Sequence, residues 1–215
     1  MEALKLQTLA DLLAYPEERV ELIGGEIVRR PMARFAHARA QGCTCRQLGP
    51  FDGGTEPGGW WIMTEVSVAY EAHECPSHDL AGWRRERLPR LPDGVIELPP
   101  DWVCEIVSPG HEQKDTRYLP LLLRRHRVPF YWLIWPEART LVAHALEAGE
   151  WRVIATLKAG ASAQSPAPFG DQAGERTGDQ AGDRTGDRTG DQARGRIPPF
   201  DAVTLDLADL LGDTG

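Results

Sequence analysis

Residues 4–14 carry leucines (Leu4, Leu6, Leu9, Leu12 and Leu13) at helical spacing and stop before Pro16, which predicts an opening helix. VELIGGEIV then reads as two short strands around Gly24-Gly25, a hairpin signal. An Ala- and Arg-rich stretch over 33–48 fits a second helix, and GPFDGGTEPGG is a loop by composition. WWIMTEVSVAY reads as a long strand rich in aromatic and β-branched residues. DLAGW at 79–83 is a short strand after a polar turn, and the proline-rich 84–100 is irregular. WVCEIV at 102–107 is an apolar run broken only by Glu105, the pattern of a strand buried on both faces. After Ser108-Pro109-Gly110 a helix runs to about Arg127, its regular part beginning near Leu119 because Pro120 suits only a first turn. PFYWLIW at 129–135 is a second buried strand. TLVAHAL and EWRVIATL form a hairpin around Ala148-Gly149, and DAVTLDLADLL closes as a strand and a short helix. Strands and helices together predict an α/β fold.

Residues 170–193 depart from this pattern. They repeat every four residues (GDQA, GERT, GDRT) and hold no apolar side chain larger than alanine, so they are expected to be disordered. A calcium-binding roll would need a large apolar residue in each turn, which is missing. The reading is a single domain over 1–215, interrupted by a low-complexity insertion at about 170–195 in one surface connection.

Composition narrows the function classes. With 24 Lys and Arg against 32 Asp and Glu, the net charge is −8, which argues against nonspecific coating of nucleic acid but not against a nuclease with its own carboxylates. Two basic runs stand out, Arg84, Arg85, Arg87 and Arg90, and Arg124, Arg125 and Arg127, as candidate phosphate contacts. Neither an apolar run of membrane length nor a signal-peptide pattern is seen, so a cytoplasmic location and no membrane partner are expected. Cys43, Cys45, Cys75 and Cys104 are too few for a disulfide scaffold, and with His73 and His78 they lack the spacing of common zinc sites. Gly-x-Ser-x-Gly, phosphate-loop and dinucleotide fingerprints are absent.

The chemistry centres on two acids. A carboxylate in a buried strand needs an ion pair, a raised pKa or a metal, and Glu105 is in that position. Asp79 starts a second short strand. If the strands are neighbours, both acids can converge at one end of the sheet. Two anions about 4 Å apart repel by roughly 4 kcal/mol at an effective dielectric near 20. A divalent cation turns that repulsion into binding, and oxygen ligands favour Mg2+ or Mn2+.

VELIGGEIV, the helix with His37, HDLAGWRRER, DWVCEIVSP and VPFYWLIWPEARTL, in that order, resemble the Uma-two family of the PD-(D/E)XK nuclease superfamily. The resemblance spans nearly the whole chain except the repeat. It implies a restriction-endonuclease-like mixed β-sheet core flanked by helices, with added β-hairpins, and a Mg2+- or Mn2+-dependent endonuclease hydrolysing DNA. Asp79 and Glu105 would hold the metal. Glu26 would be a third ligand or a water-positioning base, and His37 a proton donor or phosphate contact. A homodimer is also implied, since many superfamily members cut as pairs. The chain departs from the pattern at Val107, two residues after Glu105, where the motif has lysine. It departs again at His78 for proline, and at Leu119 and Leu123 for a displaced lysine and a tyrosine. Lys114 is the candidate substitute, with Arg117 behind it. A degenerate fold acting as a nucleic-acid-binding or interaction module is the alternative.

Overall fold

The structure, a computed structural model, describes residues 5–53, 58–110, 112–160 and 192–213. Six strands form one mixed sheet in the order β3 (Trp60–Ser67), β4 (Ser77–Arg84), β5 (Trp102–Ile106), β6 (Phe130–Trp135), β7 (Thr140–Glu147) and β8 (Glu150–Lys158). Only β5 and β6 run parallel. Their crossover holds α3 (Leu119–Arg125), as parallel neighbours require a long connection. The β1 (Val20–Ile23) and β2 (Glu26–Arg29) hairpin stands apart, tied to the chain before β4 by reciprocal backbone hydrogen bonds between Leu22 and Cys75.

The sheet separates two cores. On one face α2 (Phe35–Leu48) and α4 (Leu207–Leu211) cover Leu80, Trp102, Cys104, Trp132 and Phe200. On the other, Leu119, Leu122 and Leu123 of α3 cover Ala81, Val103, Tyr131 and Leu133. Both faces of β4 and β5 are therefore buried, which explains why WVCEIV shows no alternation. Gly82 is tightly enclosed at the centre of β4. A Cβ there would stand 3.2 Å from the Trp102 ring and 3.3 Å from Trp60.

Several element bounds differ from the pattern reading. The first helix, α1, is only Leu9–Leu13, started by a capping box between Thr8 and Asp11. The preceding residues are drawn into the hairpin, where Gln7 N–H donates to the Gly25 carbonyl and Gln7 Oε1 accepts from Ile27 N–H at 2.9 Å. Strand β4 begins at Ser77 rather than 79: the Ser77 N–H donates to Glu21 Oε2 and His78 Nδ1 meets Glu105 Oε1, while the buried Ser77 hydroxyl has no hydrogen-bond partner among the described residues. Ahead of α3, Lys114–Tyr118 form a wide π turn. Pro120 has no N–H for a regular helical bond there, and such turns cluster at functional sites. The repeat lies outside the described residues up to 191. Beyond it, β9 (Arg194–Gly195) pairs with β10 (Leu205–Asp206), and Lys158 N–H donates to the Gln192 carbonyl at 2.9 Å. No helix among the described residues is long and apolar enough to cross a membrane.

Candidate functional site

Antiparallel pairing of β4 with β5 matches Leu80 to Cys104, so one step further Asp79 faces Glu105. Pairing of β3 with β4 matches Thr64 to Leu80 and Val66 to His78, so Glu65 faces Asp79 from the other side. Three carboxylates thus form one row across three adjacent strands. Glu105 is 1% exposed and Asp79 9%, at the floor of a cleft of about 780 Å3 whose walls come from the β1–β2 hairpin, the start of α2 and the π turn.

Each floor carboxylate is held by the fold. Asp79 Oδ2 accepts from Ile106 N–H at 2.7 Å, and Glu105 Oε2 accepts from Asp79 N–H at 3.2 Å. No guanidinium contacts Glu105 among the described residues; its other oxygen lies 2.6 Å from His78 Nδ1. His78 is fully buried, and burial, then the Lys114 charge, pushes its pKa down to about 3. Its Nε2 lies 2.9 Å from the Tyr70 hydroxyl. A neutral His78 bridges Glu105 at Nδ1 and Tyr70 at Nε2, one ring nitrogen donating and the other accepting. Burial and the facing Asp79 push the Glu105 carboxyl well above the usual range. Asp79 behaves oppositely. Burial raises its carboxyl, but the His37 hydrogen bond and charge outweigh this and hold it low. His37 Nε2 is 3.3 Å from Asp79 Oδ1, and its Nδ1 is 3.3 Å from Ser108 Oγ. Burial disfavours the charged imidazole, yet the Asp79 carboxylate overcomes it and raises the His37 pKa. One carboxyl pushed up beside another held down is the kind of divergence that marks functional sites.

The other expected residues also reach the cleft. Lys114 Nζ sits 2.6 Å from Glu21 Oε2 and 2.9 Å from the Ser77 carbonyl. Burial lowers its pKa, but the charges of Glu105 and Glu21 more than compensate, so the ammonium persists. Glu26, exposed at the start of β2, lines the cleft mouth and, like Glu105, is not among the potential ligands grouped around Asp79. Leu119 is fully buried beneath the sheet, so the lysine position of the motif faces the core in this chain.

Both basic runs point elsewhere. Arg84 and Arg85 stack 4.5 and 3.5 Å over the Trp60 and Trp61 rings, Arg87 pairs with Asp101 at 2.6 Å, and Arg124 with Glu150 at 2.9 Å. None lines the cleft; Arg19, Arg29, Arg30, Arg34 and Arg117 do. Pattern reading also missed Glu65, Gln41 and Glu21. Glu65 Oε1 accepts from Gln41 Nε2 at 3.0 Å and its Oε2 pairs with Arg30, while Gln41 also donates to the Asp79 carbonyl at 2.8 Å. Gln41 was findable, since it lies one turn past His37 on the same helix face. Among the described residues, His37, Glu65 and Asp79 form the group able to hold a metal, each offering one ligand atom, all within 4.8 Å of one another.

The fold is a mixed α/β sheet with two facing acids at the floor of a cleft. The family model described as "Uma2: Putative restriction endonuclease" matches residues 6–174, and the chain belongs to that family. A solved structure described as a "putative nuclease belonging to DUF820" from Anabaena variabilis is similar in fold, with a TM-score of 0.65 at 20% identity, over 96% of this chain and 98% of that one. No curated protein sequence matches the chain.

Proposed function

We propose that the chain is a metal-dependent endonuclease that hydrolyses DNA phosphodiester bonds, with Asp79 and Glu105 as the metal-binding pair. The observation that carries this reading is the register, which sets the two acids face to face with neither neutralised by arginine. An all-carboxylate pair suits Mg2+ or Mn2+. Such an ion lowers the pKa of a bound water and offsets charge on the scissile phosphate.

The chain's own groups do the rest. The Ile106 and Asp79 amides and the His78 imidazole fix both carboxylates, so little reorganisation accompanies the reaction. Lys114 replaces the absent motif lysine as the fixed cation, anchored by Glu21 on the π turn. The attacking water's oxygen bonds to phosphorus as the P–O bond to the leaving strand breaks, the water's proton passing to solvent and the leaving oxygen taking one from solvent; Glu26, exposed at the cleft mouth away from Asp79, has no part in this step. Arg34 and Arg117 on the cleft wall supply contacts to the DNA backbone.

The test is cleavage of supercoiled and linear DNA with Mg2+ or Mn2+ by the full chain and by Asp79→Asn. Metal-dependent cleavage abolished by Asp79→Asn is expected. DNA binding with no cleavage in either metal would instead favour the binding-module alternative, and cleavage that survives Asp79→Asn would refute the assigned site.

A further inference from the structure

Resting on the metal-centre reading above, we infer that Glu65 and His37 complete the ion's coordination around Asp79, and that this mixed nitrogen–oxygen set takes Mn2+ in preference to Mg2+. Neither Glu26 nor Lys114 could supply these donors: Glu26 stands apart at the mouth and Lys114 offers only N–H groups.

The geometry begins with Asp79. Its Oδ2 is committed to the Ile106 amide, which leaves Oδ1 facing His37 Nε2 at 3.3 Å. Glu105 is held on both oxygens, by His78 and by the Asp79 amide, at the buried side of the row, and each oxygen keeps a lone pair for the ion. On the open side stands Glu65, opposite Asp79 across β3 and β4, with a side chain 39% exposed toward the cleft. Gln41 and Arg30 steer its carboxylate, and the Arg30 side chain is itself only 14% exposed. Each carboxylate oxygen has two lone pairs, so these contacts leave room for a metal bond. The three ligand atoms lie within 4.8 Å of one another. Two donors bound to one Mg2+-sized ion stand about 3.0 Å apart when cis and about 4.2 Å when trans, given bonds near 2.1 Å, so closing the set needs shifts of up to about 2 Å.

His37 is what changes the selectivity. Mg2+ prefers oxygen and gives up water reluctantly, whereas imidazole suits transition ions. Its ring is preset for coordination, because Nδ1 is engaged by Ser108 Oγ and Nε2 is aimed at Asp79. Ser108, just past the end of β5, thus acts as a positioning residue.

The test titrates Mn2+ and Mg2+ separately into the full chain by calorimetry and records the electron-spin-echo spectrum of bound Mn2+. Wild type is expected to bind Mn2+ at least tenfold more tightly than Mg2+, with a nitrogen coupling in the spectrum. His37→Asn should remove that coupling and bring the two affinities within about threefold. Glu65→Gln should weaken Mn2+ at least tenfold, while Arg30→Met, which breaks the same ion pair but keeps the carboxylate, should not. Mn2+ bound without nitrogen coupling, or equal loss in Arg30→Met and Glu65→Gln, overturns the inference. If Asp79→Asn abolishes Mn2+ binding but Glu65→Gln does not weaken it, this inference falls and the metal-centre reading stands. If wild type binds no Mn2+ at all, both fall. Should Glu65→Gln melt early, the nitrogen signal of the wild type still decides.

Discussion

Under the proposed function, Lys114 is the single charge that separates a working centre from a decayed one. Its ammonium is locked between Glu21 and the Ser77 carbonyl, close enough that Glu105 stabilises its charged form. Lys114→Met is expected to slow DNA cleavage about 100- to 1000-fold, the usual loss for a preorganised transition-state group, with Mn2+ affinity undiminished. Equal falls in both would make Lys114 a structural tie. Restoring the motif by Leu119→Lys is predicted not to rescue activity but to destabilise the chain by several kcal/mol, seen as a lower melting temperature, since position 119 is fully buried. Asp79 and Glu105 were legible as candidates because an acid inside or beside an apolar run is anomalous. Glu65 and Glu21 were not, because an acid in an alternating strand is the ordinary solvent-facing pattern, and only register shows where it points.

The π turn that presents Lys114 also buries Asp115, which is 8% exposed. Burial and the Glu105 charge push the Asp115 carboxyl up to about 8. A raised carboxyl pKa means the folded state holds the proton more tightly than the unfolded chain, so stability falls as pH rises from about 4 toward 8. Asp115→Asn should therefore melt several degrees higher than wild type at pH 8 in chelator, with the difference vanishing below about pH 4. A constant difference across this range would place the effect outside Asp115 ionisation. In β4, Gly82→Ala should cost about 1–3 kcal/mol in denaturant unfolding, because the buried Trp60 and Trp102 rings must shift to admit a methyl group. Strand and hairpin identities were readable from apolar runs and glycine turns. The start of β4 was not, since buried Ser77 and His78 look polar in sequence, and the partners of the Ser77 amide and the His78 ring (Glu21, Glu105 and Tyr70) come from elsewhere in the chain.

At the scale of the molecule, a net charge of −8 hides a cleft with acids at its floor and arginines on its walls. The basic runs visible in sequence are spent on tryptophan faces and surface ion pairs; the cleft arginines are scattered through residues 19–34 and at 117 and become a patch only on folding. Arg34→Gln with Arg117→Gln should weaken DNA binding and reduce the slope of log affinity against log salt by about 1 to 2, whereas Arg124→Gln should leave both unchanged. The most direct probe of the central claim is anomalous diffraction at the manganese edge from crystals of the full chain grown with Mn2+. One peak per chain is expected at the cleft floor, against the Asp79 carboxylate and absent in Asp79→Asn. A cleft without a peak, or a peak that persists in Asp79→Asn, would contradict that claim.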